Sequence, residues 1–299
     1  MKIARFNEGR IGVVIGSDVL DITEVVGINP QQWPAIGPVQ MIANWELLRP
    51  QIEAALATAP RLPISDIRLL TPVPWPNKVI AYPVNYNDHG QEMQANYRAT
   101  HQGFFLKPAS SLCGASDVIE LPDLPGREVH HEAELGIVIG KRGRNVRRED
   151  WKEYVFGYAC LMDMVVRGRE ERVFRKAYDT FCPVGPWITT ADEVSDPTNL
   201  KMKLWVNDEL RQSANTRDLV LDIPGMIEMA ASVMTLEPGD IIATGTPAGV
   251  GQIVDGDTVT IRIDELGEMR MKVVQGTSGR TMVFEKSYTP DIVKQPLVA

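Results

Sequence analysis

The run His130-His131-Glu132-Ala133-Glu134-Leu135-Gly136-Ile137-Val138-Ile139-Gly140 constrains the fold more tightly than any other segment of the chain. Side chains on a β-strand alternate between two faces. His131, Ala133, Leu135, Ile137 and Ile139 then form a mostly apolar face suited to a core. The other face carries Glu132 and Glu134 beside Gly136 and Gly140, which leave room around the acids. Adjacent carboxylates repel, so this face belongs either on a solvated edge strand or in a pocket where a cation or protons neutralise it. A third acid sharpens the choice. Asp163 interrupts the apolar run Tyr158–Val166, and an ionised, unpaired Asp in such a strand costs several kcal/mol. Arg167 is one available partner. The other is a divalent cation shared by Glu132, Glu134 and Asp163, for which an all-oxygen set suits Mg²⁺ or Mn²⁺, with Ca²⁺ also accommodated, rather than a soft metal.

A second group lies upstream. In Asn85-Tyr86-Asn87-Asp88-His89-Gly90-Gln91-Glu92, Asn87 or Asp88 can cap a short helix that sets His89 and Glu92 on one face. A carboxylate that orients an imidazole raises its basicity for general-base work; the alternative is a surface pair worth a few tenths of a kcal/mol. Lys107 ends the aromatic strand Phe104–Pro108, and Lys176 precedes Asp179-Thr180-Phe181; each is a potential anion contact or a solvated cation. The loop Thr244-Gly245-Thr246-Pro247-Ala248-Gly249-Val250-Gly251 has neither the glycine spacing nor the G-K-[ST] ending of a nucleotide cradle. Its amides and hydroxyls can hold a small carboxylate, or simply form a tight turn.

The rest of the sequence places these groups. Residues 1 to about 28 alternate short apolar runs with turn signals and predict an antiparallel meander. Pro38–Ala57 has helical spacing and predicts two short helices interrupted at Pro50. Pro60, Pro63, Pro72, Pro74 and Pro76 predict an extended connector and a domain boundary near residue 72. Buried strands are expected at Lys78–Ala81 and Gly136–Ile139, a helix over about 224–234, and a hairpin from Thr258–Ile263 and Met269–Val274 around Gly267. The expected division is 1–72, a small N-terminal domain; 73–280, a mostly β catalytic domain; and a tail over 281–299. With 31 basic and 39 acidic side chains, the net charge of −8 argues against nucleic acid or an anionic membrane as partner. No apolar run approaches the ~20 residues of a membrane span, and Met1–Phe6 lacks the apolar stretch of a secretory signal. Cys113, Cys160 and Cys182 are odd in number and far apart, which suits free thiols in a reducing cytoplasm.

Taken in order, N-Y-x-D-H-x-x-E at 85–92, F-L-K-P at 105–108, E-x-E-L-x-x-V-I-G at 132–140, D-x-x-x-R at 163–167, D-T-F-C-P-x-G-P at 179–186 and L-x-P-G-D-I-I-x-T-G-T-P-x-G-V-G at 236–251 form an ordered set. Over roughly residues 75–275 it resembles the fumarylacetoacetate hydrolase superfamily, including its acylpyruvase and 2-hydroxyhepta-2,4-diene-1,7-dioate isomerase-like members. The resemblance implies an α+β, mostly β fold: a mixed β-sheet roll with a small N-terminal α+β domain, commonly dimeric. It implies Mg²⁺, Mn²⁺ or Ca²⁺ held by Glu132, Glu134 and Asp163. His89 and Glu92 become a catalytic lid pair and Lys176 a catalytic lysine, with Lys107, Arg167, Gly245 and Thr246 as substrate contacts. Three positions depart from the family pattern. Pro83-Val84 stand where a glycine is usual, Gly168 where many members have Asp, and Glu170 where many have Gln.

The implied activity is metal-dependent hydrolysis of a C–C bond in an acylpyruvate or related β-diketo acid of aromatic catabolism. Oxaloacetate decarboxylation or isomerisation of a 2-oxo acid on the same scaffold is the near alternative. A non-catalytic metal- or carboxylate-binding protein is the alternative of another class. The expected partners are a small 2-oxo or diketo acid and a second copy of the chain, with no nucleic acid and no membrane.

Overall fold

The computed structural model describes residues 1–279, and the tail expected over 281–299 lies outside the described residues. The fold is α+β and dominated by sheet, as expected. The largest sheet runs in the order Arg61–Pro63, Asp18–Asp21, Arg10–Ile15, Lys2–Phe6, Cys182–Thr190, Val155–Met162, Ala133–Ile139, Ile241–Ala243, Val79–Ala81, Phe105–Lys107. Most pairings are antiparallel, but Ile241–Ala243 runs parallel to Val79–Ala81, so the sheet is mixed. A five-stranded sheet contains the expected hairpin Thr258–Ile263 and Gly267–Gln275, and a three-stranded sheet joins Val165–Val166, Val129–His131 and Gly251–Ile253. The N-terminal meander enters the largest sheet edge-on, with Lys2 opposite Thr189 and Ile3 opposite Ile188. Among the described residues no helix is long and apolar enough to cross a membrane.

The acidic segment is not one strand. It breaks at Glu132 into Val129–His131 and Ala133–Ile139, which belong to different sheets. Ala133–Ile139 is buried along its whole length between Val155–Met162 and Ile241–Ala243. Its odd face (Ala133, Leu135, Ile137, Ile139) enters the larger apolar core, while Val138 on the opposite face joins a second core with Ala159 and Leu161. A solvated edge strand is therefore excluded. Glu134 stands on a central strand, where it is kept from bulk water.

Two local expectations fail for identifiable reasons. The helices Gly37–Ala43 and Trp45–Ala55 part at Asn44, and Pro50 lies inside the second. Asn44 Nδ2 donates to the Gln40 carbonyl at 2.8 Å and so competes with continuation of the helix. At Pro50 the carbonyl that loses its helical donor is that of Glu46; both residues are exposed, and water can serve in its place. The proline-rich connector also contains sheet. Arg61–Pro63 pairs with Asp18–Asp21 at the outer edge, where proline's missing donor faces no neighbour, and Leu69–Leu70 pairs with Lys2–Phe6.

Asn85 fastens the segment that carries His89 to the sheet. Fully buried, it donates through Nδ2 to the carbonyls of Leu221 (2.9 Å) and Thr244 (2.8 Å) and accepts from the Leu221 amide (2.7 Å). Just before it, Val84 has φ 50°, a left-handed conformation that a β-branched side chain strongly disfavours and that glycine adopts freely. The Asn85 bonds therefore hold a strained approach to the site. Asn85→Ala strands three buried backbone groups; it is expected to cost about 3 kcal/mol in urea unfolding, and a loss under about 1 kcal/mol would show that water replaces the anchor.

Candidate metal centre and the cavity around it

Antiparallel pairing assembles the acids. Ala133 lies opposite Met162, so Glu132 and Asp163 face each other one step beyond, and the Asp163 amide donates to the Glu132 carbonyl at 2.9 Å. Glu134 follows two residues along the same strand. One oxygen from each of Glu132, Glu134 and Asp163 lies within 4.8 Å of the others, and all three residues are buried. Lys176 Nζ bridges two of them, donating to Glu132 Oε2 at 2.7 Å and Asp163 Oδ2 at 2.5 Å. Lys107 pairs with Asp163 Oδ1 and donates to the carbonyls of Lys176 (2.9 Å) and Phe181 (3.2 Å). Asp163 thus takes its charge partners from two lysines, and Arg167 is not one of them.

The charges are unevenly settled. Burial opposes ionisation of Glu132, but Lys176 foremost, then Arg167 and His89, hold its carboxyl down at about 2. At Glu134 burial raises the pKa well above the carboxylate range, and Asp163 and Glu132 add to the effect. Burial lowers the Lys176 pKa and the three acids more than restore it, so the ammonium is retained. Among the described residues Glu134 has one bond of its own, from the Gly245 amide at 2.7 Å. It is the least neutralised member of an all-oxygen donor set, which is the pattern of a site suited to a hard divalent cation.

The acids open into a cavity of about 330 Å³ that is also lined by His89, Arg167, Lys176 and Thr246. His89 and Glu92 lie on the short helix Asn87–Glu92, with His89 Nδ1 3.1 Å from Glu92 Oε2. That carboxylate favours the hydrogen on Nδ1 and leaves Nε2 as the acceptor. Glu92 Oε1 in turn accepts from the Gly249 amide at 2.9 Å, joining the helix to the glycine-rich loop. Lys107 and Gly245 do not line the cavity. Lys107 has its donors taken, as above, and the Gly245 amide is given to Glu134. Gly245 sits at φ 91°, and a Cβ there would come within 2.7 Å of the Asn85 side chain, so the close approach needs glycine.

Gln212 belongs to the site and is not apparent from any motif. Buried on the strand Glu209–Asn215, its Oε1 accepts from the Ala133 amide (2.9 Å) and His131 Nδ1 (3.1 Å), and its Nε2 donates to Thr246 Oγ1 (2.8 Å) and the Pro247 carbonyl (2.9 Å). One amide with every position used ties the break in the acidic segment to the loop and leaves the Thr246 hydroxyl hydrogen free for the cavity. A lone Gln on a strand of mixed polar and apolar residues gives no local signal of this. Burial pushes His131 down to about 4, so it serves this network as a neutral ring.

Two of the three family departures explain each other. Glu170 pairs with Arg127 at 2.6 Å, and a Cβ on residue 168 would fall 2.1 Å from Glu170 Oε2 and 2.5 Å from Arg127 Nη1. Gly168 makes room for an ion pair that turns residue 170 away from the cavity.

A mixed sheet roll carrying a buried E-x-E, a facing Asp and a His–Glu pair over one cavity defines a metal-assisted oxo-acid enzyme of the fumarylacetoacetate hydrolase type. The chain belongs to the fumarylacetoacetate hydrolase family: the family's C-terminal model matches residues 78–274. It is 45% identical to maleylpyruvate hydrolase of Aquipseudomonas alcaligenes over 285 residues, 91% of this chain and 99% of that one. The crystal structure of maleylpyruvate hydrolase from Sphingobium sp. SYK-6 in complex with manganese(II) ion and pyruvate superposes with a TM-score of 0.86 at 64% identity, covering 93% of this chain and all of that one. Mitochondrial oxaloacetate tautomerase Fahd2a of Rattus norvegicus is 37% identical over 274 residues, 87% of this chain and 85% of that one.

Glu134 provides a direct test of the electrostatics. With its folded pKa raised, the native state keeps a proton that the unfolded chain releases above about 4.5, so stability falls as pH climbs from there toward the raised value. Glu134→Gln keeps the acceptor for Gly245 and removes the charge. In the presence of chelator its Tm is expected to exceed that of the unsubstituted protein at pH 8, with the gap closing toward pH 4.5; a lower Tm at pH 8 would contradict an unneutralised buried charge.

Proposed function

We propose that this protein hydrolyses the C–C bond of an acylpyruvate, a β-diketo acid of aromatic catabolism, with Mg²⁺ or Mn²⁺ held by Glu132, Glu134 and Asp163. The observation that carries the reading is the placing of the His89–Glu92 pair and the acid trio on one cavity. A bare binding site needs no such base. The maleylpyruvate hydrolase relatives support the same class of substrate.

The cation supplies Lewis-acid stabilisation for negative charge that develops on the oxygens of the 2-oxo acid. The remaining work falls to side chains. Arg167, which forms no ion pair among the described residues, holds the carboxylate of the pyruvate half. His89 Nε2, with Nδ1 fixed by Glu92, takes a proton from water, and the hydroxide adds to the acyl carbonyl. Thr246 Oγ–H and the Lys176 ammonium face the developing oxyanion, donors of a kind worth roughly 3 kcal/mol each. Collapse breaks the C–C bond, releases the acyl group as a carboxylic acid and leaves pyruvate enolate, which recovers a proton from His89. Lys107 and Gly245 act one step back, holding Asp163 and Glu134.

In this reading residues 1–72 form an N-terminal unit and 73–280 the catalytic domain. The protein works as a cytoplasmic homodimer, as is common in the family and compatible with its free, buried cysteines.

His89→Ala is expected to lower acylpyruvate cleavage by about 10²–10⁴-fold while Mn²⁺ affinity is kept, the range for loss of a general base. Oxaloacetate decarboxylation needs no attacking water and should fall far less. Unchanged cleavage in His89→Ala would refute the mechanism. Glu134→Ala, assayed by Mn²⁺ titration calorimetry, should lose binding by at least about tenfold, a conservative figure for one ligand of three; unchanged affinity would remove Glu134 from the ligand set.

A further inference from the structure

The polarity of the Gln212 amide is fixed by main chain at both of its ends. Oε1 lies 2.9 Å from the Ala133 amide, which can only donate, and Nε2 lies 2.9 Å from the Pro247 carbonyl, which can only accept. A flipped amide would set donor against donor at one end and acceptor against acceptor at the other, so a single orientation is allowed. His131 Nδ1, 3.1 Å from the same Oε1, must then carry a hydrogen, whichever charge the ring bears. At the other end Nε2 donates to Thr246 Oγ1 at 2.8 Å. Gln212, His131 and Thr246 are all buried, so bulk water does not compete for these bonds.

The consequence falls on Thr246. A hydroxyl has one hydrogen and two lone pairs, and it rotates to suit its neighbours. With one lone pair taken by Gln212 Nε2, the Thr246 hydrogen cannot turn toward Gln212 without setting two donors face to face. Among the described residues it has no other protein acceptor, and Thr246 lines the cavity. The hydrogen is therefore directed into the cavity. The loop meets the strand Glu209–Asn215 at a second point: a Cβ on Gly249 would fall 2.0 Å from the Arg211 carbonyl oxygen, so loop main chain lies directly against the residue next to Gln212. The place of the hydroxyl and the direction of its hydrogen are both set from this one strand.

We propose that Gln212 is a positioning residue for the cleavage step: it makes Thr246 an obligate hydrogen-bond donor, so that the oxyanion formed when hydroxide adds to the acyl carbonyl meets a hydrogen already aimed at it. The proposal rests on the acylpyruvate reading above and supplies the reason for the donor's direction. A freely rotating hydroxyl has to be reoriented as charge develops, whereas one held by a buried amide is preorganised for it. Gln212 does not line the cavity and acts through Thr246.

Gln212→Glu inverts the polarity at Thr246 and leaves the other end intact. Its Oε1 still accepts from Ala133 and His131, whereas the new oxygen accepts from the Thr246 hydroxyl; if protonated, its single hydrogen goes to the acceptor-only Pro247 carbonyl. Full-length protein is assayed on maleylpyruvate with saturating Mn²⁺. Thr246→Val is expected to lower kcat by roughly 10²–10³-fold, and Gln212→Glu by at least about tenfold, as for a lost oxyanion donor. KM should stay within about threefold in both, because the contact is made to charge that appears only in the transition state. The double variant should lose no more than about twofold beyond Thr246→Val alone, since Gln212 then has no hydroxyl to direct. Gln212→Met, which buries no charge, is taken through the same cycle and keeps the test readable if the Glu variant does not fold. If the Gln212 and Thr246 losses multiply, if Gln212→Glu keeps full kcat or acts through KM or Mn²⁺ affinity, or if Thr246→Val leaves kcat unchanged, the proposal is overturned while the acylpyruvate reading stands. If the unsubstituted protein cleaves neither maleylpyruvate nor acetylpyruvate, that reading falls and takes this one with it.

Discussion

Three carboxylates held within 4.8 Å of each other and away from bulk water repel strongly. At an effective dielectric of about 20, each such pair costs about 3–4 kcal/mol. The molecule around them is arranged to meet that repulsion without abolishing it. Lys176 reaches between Glu132 and Asp163, and Lys107 closes the other side of Asp163 with its remaining donors on main-chain carbonyls. Glu134 receives a single amide and remains the acid least provided for. Two ammonium groups against three acids leave the cluster one charge short, a shortfall that a dication would more than make up. The central strands cannot be exchanged for polar ones without letting water in, and the glycine loop cannot retreat without stranding Glu134. Much of the fold is thus a consequence of keeping this cluster dry and only partly neutralised.

The sheet was largely legible because period-two alternation and turn residues are local. Val79–Ala81, the Thr258–Gln275 hairpin and the helix Ile223–Val233 follow from such signals. The acid cluster was legible for a different reason: an Asp in the apolar run Tyr158–Val166 is too costly to leave without a distant partner. What alternation alone concealed was the break at Glu132. A strand that continues straight and one that passes from one sheet to another have the same local pattern, and only the pairing of His131 with Gly251 and of Ala133 with Met162 separates them. Gln212 was hidden for a similar reason, since its partners Ala133, His131, Thr246 and Pro247 are remote in sequence. Lys107 and Gly245 were found as members of the site, but sequence reasoning placed them against the substrate. Both stand behind the acids. A motif shows that a residue is near the chemistry and says little about which side of it the residue faces.

The helix of His89 illustrates how position and mobility are divided. With only six residues, it has little stability of its own. Asn85 fixes its entry to the sheet, and the bond from the Gly249 amide to Glu92 ties its end to the loop that also carries Thr246. His89, Glu92 and Thr246 are therefore linked through one loop, so that displacing any of them disturbs the rest. The left-handed Val84 just before Asn85 adds backbone strain at the entry to this segment. A few specific bonds and a strained residue at its root thus hold this segment against the cavity.

The departures at residues 168 and 170 then acquire a physical meaning. An acid at 170 turned into the cavity would add a fourth carboxylate to a cluster already short of positive charge, and would compete with an anionic substrate for Arg167. Here it is removed to Arg127, in a pair that a side chain at residue 168 would obstruct. Glu170 keeps its carboxyl below the ordinary range even though burial opposes it, because its own backbone amide and then Arg127 favour the charged form. The same segment also offers its main-chain carbonyl to Arg175, which holds that guanidinium against the wall. One small residue thus permits a rearrangement that takes negative charge out of the cavity and leaves its outer wall cationic.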